Sequence, residues 1–256
     1  MMRCAVCPRL LLRIPLICYE MIAGGMVLPS DEIHIWLIPL PDNGQYPENL
    51  ARHLSIDESA RARRFMFDRD RARFVVAHGC LRRILATYTD QAPAAIAISA
   101  ATKGKPFLAH HPDLRFNLSH SGSWALVGIA QGRELGVDIE HINPARSTDN
   151  IAERFFAAGE VRELHALPEQ CRTNGFFNCW SRKEAYIKAR GEGLAIPLGS
   201  FEVSLGDPAI LRQAEDQDRW SMAPLQAPVG YAAALVAEGS GWTVRYFSDS
   251  PSTPGT

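Results

Sequence analysis

Gly136-Val137-Asp138-Ile139-Glu140 and, further along, Trp180-Ser181-Arg182-Lys183-Glu184-Ala185-Tyr186-Ile187-Lys188 decide how this chain is read. The first stretch, with Leu135, has the β-branched character of a strand. Side chains alternate across a strand, so Asp138 and Glu140 share one face while Val137 and Ile139 take the other. The second stretch belongs to Phe176–Arg190, the clearest helix in the chain, with Gly191 as its stop. At about 100° per residue, Phe176, Phe177, Trp180 and Ile187 fall in one stripe. Glu184 lies inside that stripe, and Lys188 follows one turn later.

Each acidic feature has two readings. Asp138 and Glu140 form either a polar strand face in water or a carboxylate pair whose repulsion a cation relieves. A hard, oxygen-seeking ion, Mg²⁺ or Mn²⁺, suits the second case. Glu184 is either half of an i,i+4 ion pair with Lys188, or a third ligand or general base with Lys188 meeting a phosphate.

Working outward, Ile33–Ile38 reads as a strand ending at Pro39, and Asp42–Pro47 as a polar loop. Ser55-x-x-Glu58 is a capping box opening a helix. A break near Asp68–Asp70 is expected before a second helix carrying Phe74, Val75, Ala77, His78, Leu81, Ile84 and Leu85. Thr102-Lys103-Gly104-Lys105-Pro106 is a turn. Arg115–Ser119 and Trp124–Ala130 read as a hairpin. Residues 150–156 and 161–167 are helical. Strands are expected at 201–205, 220–223, 230–236 and 242–247. The fold class is α+β: two halves of similar size, each a small, mostly antiparallel sheet against helices. The expected division is a disordered N-terminal extension over 1–26, one half over 27–133, a second over 134–247 carrying the carboxylates, and a disordered tail over 248–256.

Two further stretches could carry chemistry. Phe116-Asn117-Leu118-Ser119-His120-Ser121-Gly122 admits a serine-hydrolase reading through Ser119 and His120, but it is not G-x-S-x-G. The same residues at a strand end could bind phosphate, or simply make a turn. Arg61, Arg63, Arg64, Arg69, Arg71, Arg73, Arg82 and Arg83 form a basic series interleaved with Asp68 and Asp70. Most of it reads as a solvated helix face; a few members, like Lys103 and Lys105, could grip phosphate.

Composition sets the bounds. The chain has 256 residues, 46% hydrophobic and 21% charged, with a net charge of −1. One or two soluble domains are expected, and no nucleic-acid partner. No apolar run reaches the ~18 residues of a membrane span. The 6 cysteines look reduced rather than a disulfide framework, as in a cytoplasmic protein. Residues 1–25 read as an extension ahead of a natural start at Met26. Cys4-Ala5-Val6-Cys7 there lacks the second pair a zinc site needs.

Taken together, Gly-Val-Asp-Ile-Glu at 136–140 and Trp-Ser-Arg-Lys-Glu-Ala-Tyr-Ile-Lys at 180–188 resemble the paired signature of the 4′-phosphopantetheinyl transferase superfamily. Asn-Leu-Ser-His-Ser at 117–121 and Lys-Gly-Lys-Pro at 103–106 match two more family motifs in the expected order. The resemblance runs from about Ile33 to Leu205 and suits the two-half, monomeric, surfactin-synthetase-activating type. It implies transfer of phosphopantetheine from coenzyme A to a serine of an apo acyl, polyketide or peptidyl carrier protein. It implies Asp138, Glu140 and Glu184 as Mg²⁺ ligands, and Glu184 and Lys188 as catalytic residues. It further implies that His120, Ser119, Lys105 and Arg61 bind the nucleotide end of coenzyme A, with Lys103 and Asn117 in the same set. The carrier is expected to dock near the cleft between the halves, on the helix around Ala152 and the Phe155-Phe156 stretch.

Overall fold

The structure, a computed structural model, describes residues 17–18, 25–145 and 149–249, with backbone alone at 17, 18 and 194. In chain order the strands are β1 (Ile17–Cys18), β2 (Glu32–Pro39), β3 (Ile98–Ala100), β4 (Pro106–Leu108), β5 (Leu114–Ser121), β6 (Trp124–Gln131), β7 (Leu135–His141), β8 (Glu202–Val203), β9 (Leu211–Gln213), β10 (Trp220–Pro224), β11 (Tyr231–Glu238) and β12 (Thr243–Ser248). The helices are α1 (Glu48–Ala51), α2 (Ile56–Ala62), α3 (Asp68–Thr89), α4 (Asp149–Phe155), α5 (Ala158–Ala166) and α6 (Glu169–Arg190). The chain is α+β, as expected, and divides into two compact units.

Among the described residues, the N-terminal unit comprises 17–18, 25–99, 106–132 and 243–249. Its 5-stranded sheet runs β1-β12-β2-β6-β5. The apolar run of β2 is buried from Ile33 to Ile38, as befits an interior strand. Trp36 and Ile38 point with Phe116, Val127 and Ile129 into a core closed by Phe74, Leu81, Ile84 and Leu85 of α3. The Ser55–Glu58 capping box is present in full. The expected break at Asp68–Asp70 falls earlier, because α3 already begins at Asp68, with Phe67 as its N-cap.

Three expectations about the chain ends are corrected here. β12 was placed with 134–247, yet it pairs parallel with β2, so this sheet is mixed. Phe247 stacks on Trp36 with ring centroids 4.7 Å apart, and Arg245 reaches Glu32 at 3.3 Å. An aromatic cover for Trp36 is thus the local reason the last strand sits there. The tail was expected from 248, but Ser248 closes β12, Asp249 N–H donates to Leu37 O, and the Asp249 carboxylate holds Arg83 at 2.5 Å. The extension was expected over 1–26, but residues 17–18 pair with β12 and Met26 N–H donates to Thr87 O. The rest of that extension, including Cys4 to Cys7, lies outside the described residues.

Among the described residues, the C-terminal unit comprises 100–105, 133–145 and 149–242. Its antiparallel sheet runs β10-β11-β7, with α6 packed on β7 and β11. Helix α6 starts at Glu169, earlier than the apolar pattern indicates, and ends at Gly191 with φ 69°. The left-handed turn there is the reason a glycine terminates it. Cys80 and Cys179 are free thiols, whereas Cys171 is disulfide-bonded, which corrects the expectation of uniformly reduced cysteines. Among the described residues, no helix is long and apolar enough to cross a membrane.

Candidate active site

Strand β7 meets helix α6 through its glycine. A Cβ on Gly136 would lie 2.2 Å from Ala185 O and 2.3 Å from Ala189 N. Gly136 therefore faces α6, and by strand alternation so do Asp138 and Glu140. Their cross-strand partners on β11 are Ala234 and Ala232. Four small residues, Ala185 and Ala189 on the helix and Ala232 and Ala234 on the sheet, let the backbones come close. That approach brings long charged side chains from both elements together.

Lys188 Nζ donates to Asp138 Oδ1 at 2.6 Å. Asp138 is buried, and Glu140 is half-buried. Glu184, half-buried, is pushed up to about 7 by burial first, then by the negative charge of Asp138, with Lys188 opposing and Glu140 adding to the rise. The expected intrahelical ion pair between Glu184 and Lys188 thus gives way to a cross-element one, Lys188 with Asp138.

Lys183, the neighbour of Glu184, is a structural residue that the stripe reading missed. Its Nζ bonds Leu198 O at 2.7 Å and Phe201 O at 2.6 Å, and pairs with Glu160 at 2.8 Å. Both side chains are wholly buried. Glu160 also accepts from Ala157 N–H at 2.8 Å and Val203 N–H at 2.7 Å. A signal was present: Lys183 lies four residues from both Cys179 and Ile187, on a buried row.

In the turn at 100–105, Lys103 pairs with Glu192 at 2.7 Å and Lys105 with Glu134 at 2.6 Å. Asn117, Ser119 and His120 sit on β5 of the N-terminal unit. Ser119 is buried and His120 exposed on a regular ladder, so the two point to opposite faces. That disposes of a Ser119–His120 nucleophile and base, which must share a face.

The arginine series sorts by partner. Arg69 and Arg71 hold Asp70 and Asp68, Arg73 holds Asp42, and Arg83 holds Asp249. Arg82 bonds Glu58 at 2.5 Å. Burial pushes Glu58 up, but hydrogen bonds from His78, Ser55 N–H and Arg82 outweigh it and hold Glu58 at about 2. Arg61, Arg63 and Arg64 remain exposed, with Arg61 lying over the Phe74 ring. In the expected carrier-docking stretch, Ala152 and Phe156 are core residues, and Phe155 alone presents its ring, at 37% exposure.

The sequence matches the profile of the 4′-phosphopantetheinyl transferase superfamily over residues 134–236. It matches the profile described as 4′-phosphopantetheinyl transferase, N-terminal, over 41–131. It is 37% identical over 228 residues to the 4′-phosphopantetheinyl transferase HetI of Nostoc sp., spanning 87% of this chain and 94% of HetI. This chain belongs to the 4′-phosphopantetheinyl transferase superfamily. The transferase psf-1 of Bacillus pumilus is 36% identical over 68% of this chain and 74% of its own length. Sfp of Bacillus subtilis is 33% identical over 62% of this chain and 69% of its own.

For this transferase the resemblance implies a divalent metal. Asp138, Glu140 and Glu184 offer the hard carboxylate oxygens such an ion takes. Among the described residues, no group of three or more His, Cys, Asp or Glu converges at ligating distance.

Proposed function

We propose that this 4′-phosphopantetheinyl transferase moves the phosphopantetheine arm of coenzyme A onto a serine hydroxyl of an apo carrier protein, releasing adenosine 3′,5′-bisphosphate. The observation that carries the reading is the cluster of Asp138, Lys188 and Glu184 at the β7–α6 contact. Asp138, Glu140 and Glu184 are the residues to hold Mg²⁺, or Mn²⁺. When bound, the cation supplies charge neutralisation on the diphosphate. Lys188, tethered by Asp138, presents its ammonium to a phosphate oxygen and steadies the leaving group.

Glu184 takes the proton from the carrier serine, which is a weak nucleophile while protonated. Arg61, Lys103, Asn117, Ser119 and His120 are the contacts for the nucleotide end, on the strength of their motifs. Lys103 is half-exposed and can exchange Glu192 for a phosphate. The enzyme acts as a cytoplasmic monomer in this reading.

The test is incubation of an apo carrier protein with coenzyme A and the enzyme, with Mg²⁺ or with excess EDTA, read by intact mass. A gain of one phosphopantetheine arm with Mg²⁺ and none with EDTA is expected. Full labelling in EDTA would overturn the metal role, and no labelling with Mg²⁺ across acyl, polyketide and peptidyl carriers would overturn the reaction.

A further inference from the structure

The side chain of Lys105 does more than end a turn. The turn closes on itself through Ala101 N–H to Lys105 O at 2.9 Å and Gly104 N–H to Ala101 O at 2.8 Å. From there Lys105 runs over the end of α6. A Cβ on Gly191 would lie 2.8 Å from Lys105 Cδ, so the glycine that stops the helix also makes room for the lysine stem. Its Nζ then meets three acceptors: Glu134 Oε2 at 2.6 Å, Leu135 O at 3.0 Å and Ala189 O at 2.7 Å. One of these carbonyls opens β7 and the other lies in the last turn of α6.

Glu134 is itself held. Its N–H donates to Glu238 Oε2 at 3.3 Å, and its carbonyl accepts from Glu238 N–H at 2.9 Å, at the end of β11. The next residues along β7 are Leu135, joined to α6 by Lys105, and Gly136, in backbone contact with Ala185 and Ala189. Two residues later comes Asp138, on Lys188. The strand–helix spacing at the clamp is thus inherited at the site within a single turn of α6.

We propose that Glu134 and Lys105 are positioning residues, an ion-pair clamp that sets the separation of β7 from α6 and so holds Lys188 against Asp138. This rests on the transferase reading of the site. It gives Lys105 a task other than binding the nucleotide, and it gives Glu134, which belongs to none of the motifs, a task in the reaction.

The experiment compares the full-length enzyme with Lys105→Met, Lys105→Arg and Glu134→Gln. It measures kcat and KM for coenzyme A with an apo carrier, and amide hydrogen exchange of the free protein at 135–140 and 185–191. Lys105→Met should lower kcat by roughly 10- to 100-fold, since a misplacement of about 1 Å can cost on the order of 100-fold. Its KM should stay within about threefold, and exchange should quicken in both segments. Lys105→Arg keeps the positive charge opposite Glu134 and should lower kcat less than Lys105→Met does. If Lys105→Met does not fold, Glu134→Gln carries the same readings with a smaller fall in kcat. A raised KM with unchanged kcat would make Lys105 a nucleotide contact and overturn the clamp, as would unchanged exchange in both segments. Exchange is measured without substrate, so it decides the clamp even if wild-type enzyme labels no carrier.

Discussion

Lys183 and Glu184 are neighbours on one helix, and their surroundings are opposite. Lys183 points into the core, where Glu160, Leu198 O and Phe201 O answer its charge and its donors. Glu184 points to the β7 side, where Asp138 and Glu140 add charge of its own sign and Lys188 is drawn to Asp138. On one face of α6 a buried lysine and a buried glutamate answer each other; on the other, burial and the neighbouring carboxylates push Glu184 up to about 7. A matched buried pair stabilises a fold but has nothing left to offer a ligand. A surplus of one sign destabilises the free protein and draws in the charge that completes it.

The comparison breaks first on turnover. Asp138→Asn keeps an acceptor for Lys188 but removes a charge from the site, and carrier labelling should slow by about 10²- to 10⁴-fold with folding intact. Circular dichroism alongside the rate measurement checks both halves of that statement. In the core beside the site, Lys183→Met should leave the buried Glu160 without its ion-pair partner, costing about 3–5 kcal/mol by urea unfolding. Adding Glu160→Gln should recover part of that loss, because glutamine still accepts from Ala157 or Val203 N–H. Between the faces, Gly136→Ala would put a methyl 2.2 Å from Ala185 O and force β7 and α6 apart. A stability loss of about 1–3 kcal/mol and loss of labelling are expected.

The smallest effect sharpens the comparison through pH. Glu184 binds its proton more tightly folded, near 7, than its ordinary 4.5. Between those values the native state holds the proton and the unfolded state does not, so stability falls as pH rises through the window. In metal-free enzyme, Glu184→Gln should therefore gain about 1–2 kcal/mol over wild type above pH 7, after allowance for partial solvent screening. It should gain nothing near pH 4, as measured by denaturant titration at both pH values.

Local signals made much of this legible in advance. Ser55 and Glu58 marked a capping box, Gly191 marked a helix end, and strand alternation put Asp138 and Glu140 on one face. The helical projection placed Glu184 on the apolar side, which is why burial dominates its titration. What could not be read depends on distant partners. Arg83 finds Asp249 across 166 residues, and β12 leaves its sequence neighbours to cover Trp36. Neither choice leaves a trace in local periodicity. Lys105 reads as a phosphate ligand from its basic glycine turn, and its pairing with Glu134 shows only in the folded chain.

The Glu184 face of α6 is proposed to perform the transfer, and the Lys183 face only to support it. Intact-mass analysis of an apo carrier protein incubated with coenzyme A, Mg²⁺ and either wild type, Glu184→Gln or Lys183→Met, at a temperature where all three are folded, tests it most directly. Wild type and Lys183→Met should convert the carrier fully, and Glu184→Gln should leave it unmodified over the same time. Labelling by Glu184→Gln at the wild-type rate would contradict the claim.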